Sequence, residues 1–209
     1  MRIAVIAAAG RTGSLLVAEL LRRGHDVSAL VRHPEKLGAL ADQVQVVAGG
    51  STDPAALDQL LAGADVVVSA LGPDSRTSTV VSETARALVP AMQRAGVQRF
   101  IGISGAGTDV PGDRKGAKDR AISRVVKAVG GAMAADKAAE YRTWADSDVD
   151  FTLVRPPRLV DGPPTGAVAH DPHTPGRSSS IRRSDLAVFL ADEVEQARYP
   201  RLAPFVCGG

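Results

Sequence analysis

The sequence predicts one α/β domain, residues 1–209, built on a doubly wound parallel sheet of the Rossmann type. Three observations predict it. Short β-branched apolar runs alternate with longer stretches of helical period, the sequence form of a parallel sheet covered on both faces. Val66-Val67-Val68 is continuously apolar, as a strand buried on both sides must be. A glycine-bearing turn, Ala7-Ala8-Ala9-Gly10-Arg11-Thr12-Gly13, separates the first apolar run from the first helical one.

In chain order, strands are expected over Arg2 to Ala8, Asp26 to Val31, Val44 to Val47, Asp65 to Ala70, Gln98 to Ile103 and Asp150 to Arg155. Thr12 to Arg23 reads as a helix closed by Gly24, a residue suited to the left-handed position past a helix end. Asp53-Pro54 is a cap followed by proline at the first helical position, opening Ala55 to Leu61. Val81, Thr84, Ala85, Leu88 and Met92 share a helical face, which makes Ser78 to Arg94 a helix that Pro90 should bend. Gly105 to Lys118 has no apolar period and reads as a surface loop of the kind that closes over ligands. Residues 156–182, rich in proline, read as an irregular substrate-side segment. Ser184 is expected to cap a last helix running to Gln196, and Phe205-Val206 to add an edge strand.

Bulk properties narrow the function classes. The 25 basic and 23 acidic residues are scattered, so no polybasic stripe points to nucleic acid. A small-molecule substrate is the expected partner, with neither nucleic acid nor membrane, and the oligomeric state is left open. Cys207 stands alone, which excludes an internal disulfide and fits a reducing compartment. The apolar run at the start ends at Gly10, too short for a signal peptide, and no run approaches the roughly 20 residues of a membrane-spanning helix. The expected location is cytoplasmic.

The glycine turn is where a dinucleotide fold binds phosphate, because backbone N–H groups at a helix N-terminus attract an anion. Gly10 and Gly13 allow close approach of chain and pyrophosphate, whereas Ala7 replaces the first glycine of the usual pattern. That replacement is tolerable in an ordinary backbone conformation and costly at positive φ. The competing reading is a tight turn that binds nothing. About 20 residues on, where an acidic residue would hold the ribose diol of NAD, the chain reads Val31-Arg32-His33. A guanidinium there suits the 2′-phosphate of NADP(H), with Arg11, Thr12 and Lys36 able to complete the pocket. The alternative is a solvated arginine at a strand end.

With Gly10-Arg11-Thr12-Gly13, Val31-Arg32, Val68-Ser69-Ala70-Leu71-Gly72, Ile103-Ser104 and Val154-Arg155-Pro156-Pro157 in this order, the chain resembles the atypical short-chain dehydrogenase/reductases. It is most similar to their NAD(P)H-binding group of the biliverdin reductase B, or flavin reductase, type. The resemblance spans nearly the whole chain, including Asp161 to Gly166 and Ile181 to Leu186. It implies that Ala70, Leu71 and Gly72 line the cofactor and that Pro156 and Pro157 lie by the nicotinamide carboxamide. Two positions depart from the pattern. Met133 stands four residues before Lys137, where ordinary members keep a tyrosine acid, and methionine cannot donate a proton. Arg158 stands where the biliverdin reductase B pattern has a histidine, a position that bears on bilin reduction.

Ser104, at a strand end, can orient a substrate carbonyl or the nicotinamide, or simply form a turn. Lys137 can reach the nicotinamide ribose, or be an exposed helical lysine. Ser104 and Lys137 are the candidate catalytic pair, and Tyr141 and Arg158 the candidate substrate contacts, with Tyr141 alternatively packed on Trp144. His170 and His173 lack a third ligand at sensible spacing, so no metal site is assigned. No Gly-x-Ser-x-Gly elbow surrounds Ser104. The expected function is an NADPH-dependent reductase that passes hydride to a flavin, quinone or related conjugated carbonyl. The rivals are an NADP(H)-binding redox sensor without turnover and a carbonyl reductase with a relocated proton donor.

Overall fold

The computed structural model describes residues 1–73, 75, 77–117, 120, 121, 123 and 131–209. Its first strand, β1 (Arg2–Ile6), turns Ile3 and Val5 toward one side and Ala4 and Ile6 toward the other, as strand geometry requires. All four are buried, so both faces of the sheet are covered. Around β1 lie β2 (Asp26–Val31), β3 (Gln45–Ala48), β4 (Val66–Ser69), β5 (Arg99–Ile103) and β6 (Asp150–Val154). All are parallel, in the order β3-β2-β1-β4-β5-β6. This is the strand order of the dinucleotide-binding fold, whose switch point falls between β1 and β4.

Two apolar layers sandwich the sheet. On the Ile3/Val5 side pack α1 (Gly13–Arg22) and α5 (Arg183–Gln196), through Leu16, Leu20, Leu186 and Leu190. On the Ala4/Ile6 side pack α2 (Pro54–Leu61), α3 (Val80–Ala95) and α4 (Gly131–Ala145), through Leu57, Leu60, Leu88, Met92 and Trp144. The cap at α2 forms as its sequence dictates: the Asp53 carboxylate accepts from the amides of Ala55 at 3.0 Å and Ala56 at 3.4 Å. Gly96, at φ 73°, ends α3 in the left-handed conformation that favours glycine. The helix runs through Pro90.

Several boundaries depart from sequence expectation. Pro34–Gln43, after β2, is a 3-10 stretch broken at Gly38. Arg182, not Ser184, occupies the N-cap of α5; Ser184 falls in the first turn and its hydroxyl donates to the Gly162 carbonyl at 2.8 Å. The proline-rich 156–182 segment carries β7 (Arg158–Val160), β8 (Val168–Asp171) and β9 (Ser180–Arg182). β7 pairs with β9, and β8 pairs antiparallel with β10 (Phe205–Gly208). Strands of three or four residues show no readable period, and these exist only through pairing with distant chain. Asp185 holds the segment down, accepting from Thr165 N at 2.7 Å, Thr165 Oγ1 at 2.8 Å and Gly166 N at 3.0 Å. Lys118, the last residue of the expected 105–118 loop, lies outside the described residues.

Immediately after β1, Ala7 adopts φ 60°. An L side chain there costs about 1–2 kcal/mol, while glycine carries an entropic penalty of about 0.5–1 kcal/mol. Replacing Ala7 with glycine is therefore expected to raise the unfolding free energy by about 0.5–1 kcal/mol, read from denaturant titration. A loss of stability in Ala7→Gly would show that the turn gains more from the methyl than the backbone loses.

Candidate functional site

The turn that follows β1 is set by backbone contacts. The amide of Gly10 donates to the Ala7 carbonyl at 2.9 Å, and the Gly13 Cα lies so near that a Cβ would sit 2.1 Å from Ala7 O and 3.0 Å from Ala8 O. Gly13 is thus required for the helix to seat on the strand, before any question of ligand approach. At the N-terminus of α1, Thr12 makes no side-chain capping bond and the first turn carries no acidic residue. The positive end of the α1 dipole lies at this turn, and a helix N-terminus is a feature that attracts anions.

From this turn a cleft of about 260 Å³ extends over the carboxyl ends of β1 and β2. Its walls are apolar at Ile6, Leu30 and Leu71, and its outer rim carries exposed Arg32, His33 and Lys36. Among the described residues no carboxylate lines it, although Glu35 lies 3.4 Å from His33 Nδ1 at the rim. Gly10 and Gly72 line it as well; Arg11, which is exposed, and Thr12 and Ala70 do not.

A second cleft, of about 270 Å³, opens beyond the end of β5 and is lined by Pro73, Ser104, Thr108, Asp109, Met133 and Lys137. Gly72 and Pro73 are consecutive, so the chain passes from one cleft to the other in a single residue along the end of β4. The two clefts therefore neighbour each other along the carboxyl ends of the sheet, where an open α/β fold binds its ligands.

Lys137 is not an exposed helical lysine. It is 8% exposed, and its ammonium donates to the Ile103 carbonyl at 2.8 Å and to Glu140 Oε2 at 3.3 Å. Glu140, 3% exposed, escaped sequence reading because a carboxylate three residues after a lysine looks like a solvated helical pair. Burial pushes its carboxyl pKa up and neighbouring Asp136 adds to this, while Lys137 opposes. Asp136 in turn caps α3 from outside, accepting from Val81 N at 3.2 Å and Ser82 N at 3.0 Å.

The expected covering loop is clamped. Arg155, 1% exposed, donates to both Asp113 carboxylate oxygens at 2.8 and 2.7 Å, to Thr108 O at 2.9 Å and to Ala203 O at 2.6 Å. Lys115 ties Ala106 O, Thr108 O and Asp109 together at 3.1, 3.2 and 2.7 Å. The carbonyl of Pro156 accepts from Ala106 N at 2.9 Å, so the Pro156-Pro157 step is bound to the same loop. Tyr141 meets Phe151 edge-on at 6.1 Å and packs against the apolar cluster that includes Trp144, which itself stacks on Phe100 at 3.8 Å. Neither Tyr141 nor exposed Arg158 lines either cleft. His170 bonds the Tyr199 hydroxyl at 2.5 Å.

Residues 7–197 match the model of a family described as NAD(P)H-binding. The chain belongs to that family. Among curated relatives, an isoflavone reductase homolog from Zea mays is 36% identical over 94% of this chain and 65% of its own length. The chain spans only 12% of matching uncharacterized mycobacterial proteins and about half (49%) of one from Bacillus subtilis. A solved structure from Burkholderia pseudomallei, described as an exported protein, is 32% identical with TM-score 0.78, covering 99% of both chains. A short-chain dehydrogenase/reductase from Veillonella parvula, solved with NADP, shares the fold at TM-score 0.81 and 19% identity, over 99% of this chain and 94% of its own. Among the described residues, no helix is long and apolar enough to cross a membrane.

Proposed function

We propose that this protein is an NADPH-dependent reductase of the atypical short-chain dehydrogenase/reductase type, acting on a flavin, quinone or related conjugated carbonyl. The observation that carries the reading is the pair of neighbouring clefts at the carboxyl ends of the sheet, one rimmed by cations and the other mostly apolar with Ser104 and Lys137 in its lining. The α1 amides would hold the pyrophosphate. Arg32 and Lys36, with His33, would hold the 2′-phosphate, where a carboxylate would repel it. When bound, the cofactor supplies hydride. Ser104 and Lys137 orient what lies in the second cleft, Lys137 being fixed by the Ile103 carbonyl and Glu140. The mostly apolar lining at Pro73, Met133, Ala134 and Ala138 suits a planar, electron-poor acceptor. That the maize relative is named a reductase homolog and the Veillonella neighbour was solved with NADP agrees with this.

NADPH is expected to bind more tightly than NADH, and Arg32→Asp to erase or invert the preference. Losing a charge-assisted contact of roughly 1.5–3 kcal/mol lowers affinity by about one to two decades. Fluorescence titration with both cofactors measures this, and equal dissociation constants in the parent protein would contradict it.

Steady-state oxidation of NADPH should accompany reduction of at least one flavin or quinone. Tight NADPH binding with no turnover on any such acceptor would replace the reductase by a redox sensor.

A further inference from the structure

Helix α3 begins beside the first cleft, and the bonds that hold its first turn come largely from outside it. Thr79, at its N-cap position, makes no capping bond; its hydroxyl donates instead to Glu83 Oε1 at 2.6 Å. Val80 N donates to Ser78 Oγ at 3.3 Å, while Val81 N and Ser82 N donate to the Asp136 carboxylate at 3.2 and 3.0 Å. Asp136 is 4% exposed and lies on α4, 54 residues after Ser82. A carboxylate that accepts two opening amides is favoured both by those bonds and by the helix dipole. This one turn reaches toward both clefts. Val80 lines the first cleft, and Thr84, 3% exposed, shares a 2.6 Å hydrogen bond with Ser51, which lines the same cleft from the loop after β3. On the other side Lys137, next to Asp136 on α4, lines the second cleft and donates to the Ile103 carbonyl at 2.8 Å. Asp136 itself lines neither cleft.

We propose that Asp136 is a positioning residue for the cofactor: it seats the start of α3 so that Val80 and Ser51 hold the shape of the first cleft, while Lys137 beside it holds the second. This rests on the reading of the first cleft as the NADPH site. The Asp136 carboxylate touches neither cofactor nor acceptor and acts only through the Val81 and Ser82 amides. Without it, two amides of a buried turn lose their acceptor and the turn frays. The cleft wall then has to be ordered when the cofactor binds, and that cost falls on affinity rather than on hydride transfer from a cofactor already seated. Because Asp136 acts on the wall and not on the Arg32 rim, NADPH and NADH are affected alike.

Three readouts on the full-length protein test this. Amide hydrogen exchange of cofactor-free Asp136→Ala should be faster at residues 81 and 82 while the parallel strands stay protected. Fluorescence titration should show the dissociation constants of NADPH and NADH both raised by roughly threefold to tenfold, the size of a lost helix cap, with their ratio unchanged. In turnover with a quinone, KM for NADPH should rise and kcat should not fall. Asp136→Asn keeps one acceptor oxygen and should lie between parent and Asp136→Ala. Thr84→Val breaks the bond to Ser51 and should weaken both cofactors in the same way, which covers the case in which Asp136→Ala fails to fold. Unchanged cofactor affinity in the folded variants makes Asp136 a structural cap alone and overturns the positioning role, while the NADPH reading stands. Failure of the parent protein to bind NADPH overturns that reading and the positioning role with it.

Discussion

The close seating of α1 on the end of β1 is the contact on which the site depends. Gly13 approaches the Ala7 carbonyl so closely that no side chain fits between them, and Ala7 accepts a left-handed backbone to present that carbonyl. The turn thereby seats the N-terminus of α1 against the end of β1, where Thr12 makes no side-chain capping bond. Everything downstream takes its position from this: β2 ends beside β1 with Leu30 opposite Ile6, which brings Arg32 to the rim of the same cleft. On the other flank Ser69 of β4 pairs with Ile6, so Leu71 and Gly72 form the opposing wall.

Charge in this protein is divided by burial. Arg32, His33 and Lys36 are exposed at the rim, where a solvated ligand phosphate can meet them with little desolvation cost. Arg155, Lys137, Asp136 and Glu140 are buried, and each is tied to a specific partner, because an unpaired charge in the interior would be prohibitive. Arg155 spends its donors fixing the loop after β5, which makes that loop a built wall of the second cleft. Asp136, Lys137 and Glu140 perform three different tasks within one and a half turns of α4: capping α3, holding the end of β5, and keeping a carboxyl beneath the cleft.

The six parallel strands and the helices α1, α2, α3 and α5 were readable because each leaves a local mark: continuous apolarity, helical period, or a cap such as Asp53-Pro54. Gly10, Arg32, Leu71, Gly72, Ser104 and Lys137 were readable as candidates because the fold puts strand ends at the ligand crevice, and the structure places them on the two clefts. What escaped is non-local. β7, β8 and β9 are too short to carry a period and rely on partners far along the chain. The partner of Arg155 is Asp113, 42 residues away, and Asp136 caps a helix 54 residues earlier. Glu140 is invisible for a different reason: its spacing from Lys137 reads as a surface pair, and only packing reveals that both are inside.

The α1 turn and the Arg32 rim together are proposed to hold the phosphates of NADPH. Amide hydrogen exchange with and without NADPH tests this most directly. Protection concentrated at residues 10–16 and 31–36, with the 31–36 protection weaker for NADH, is the predicted result. Protection confined to other segments, or identical at 31–36 for both cofactors, would contradict it.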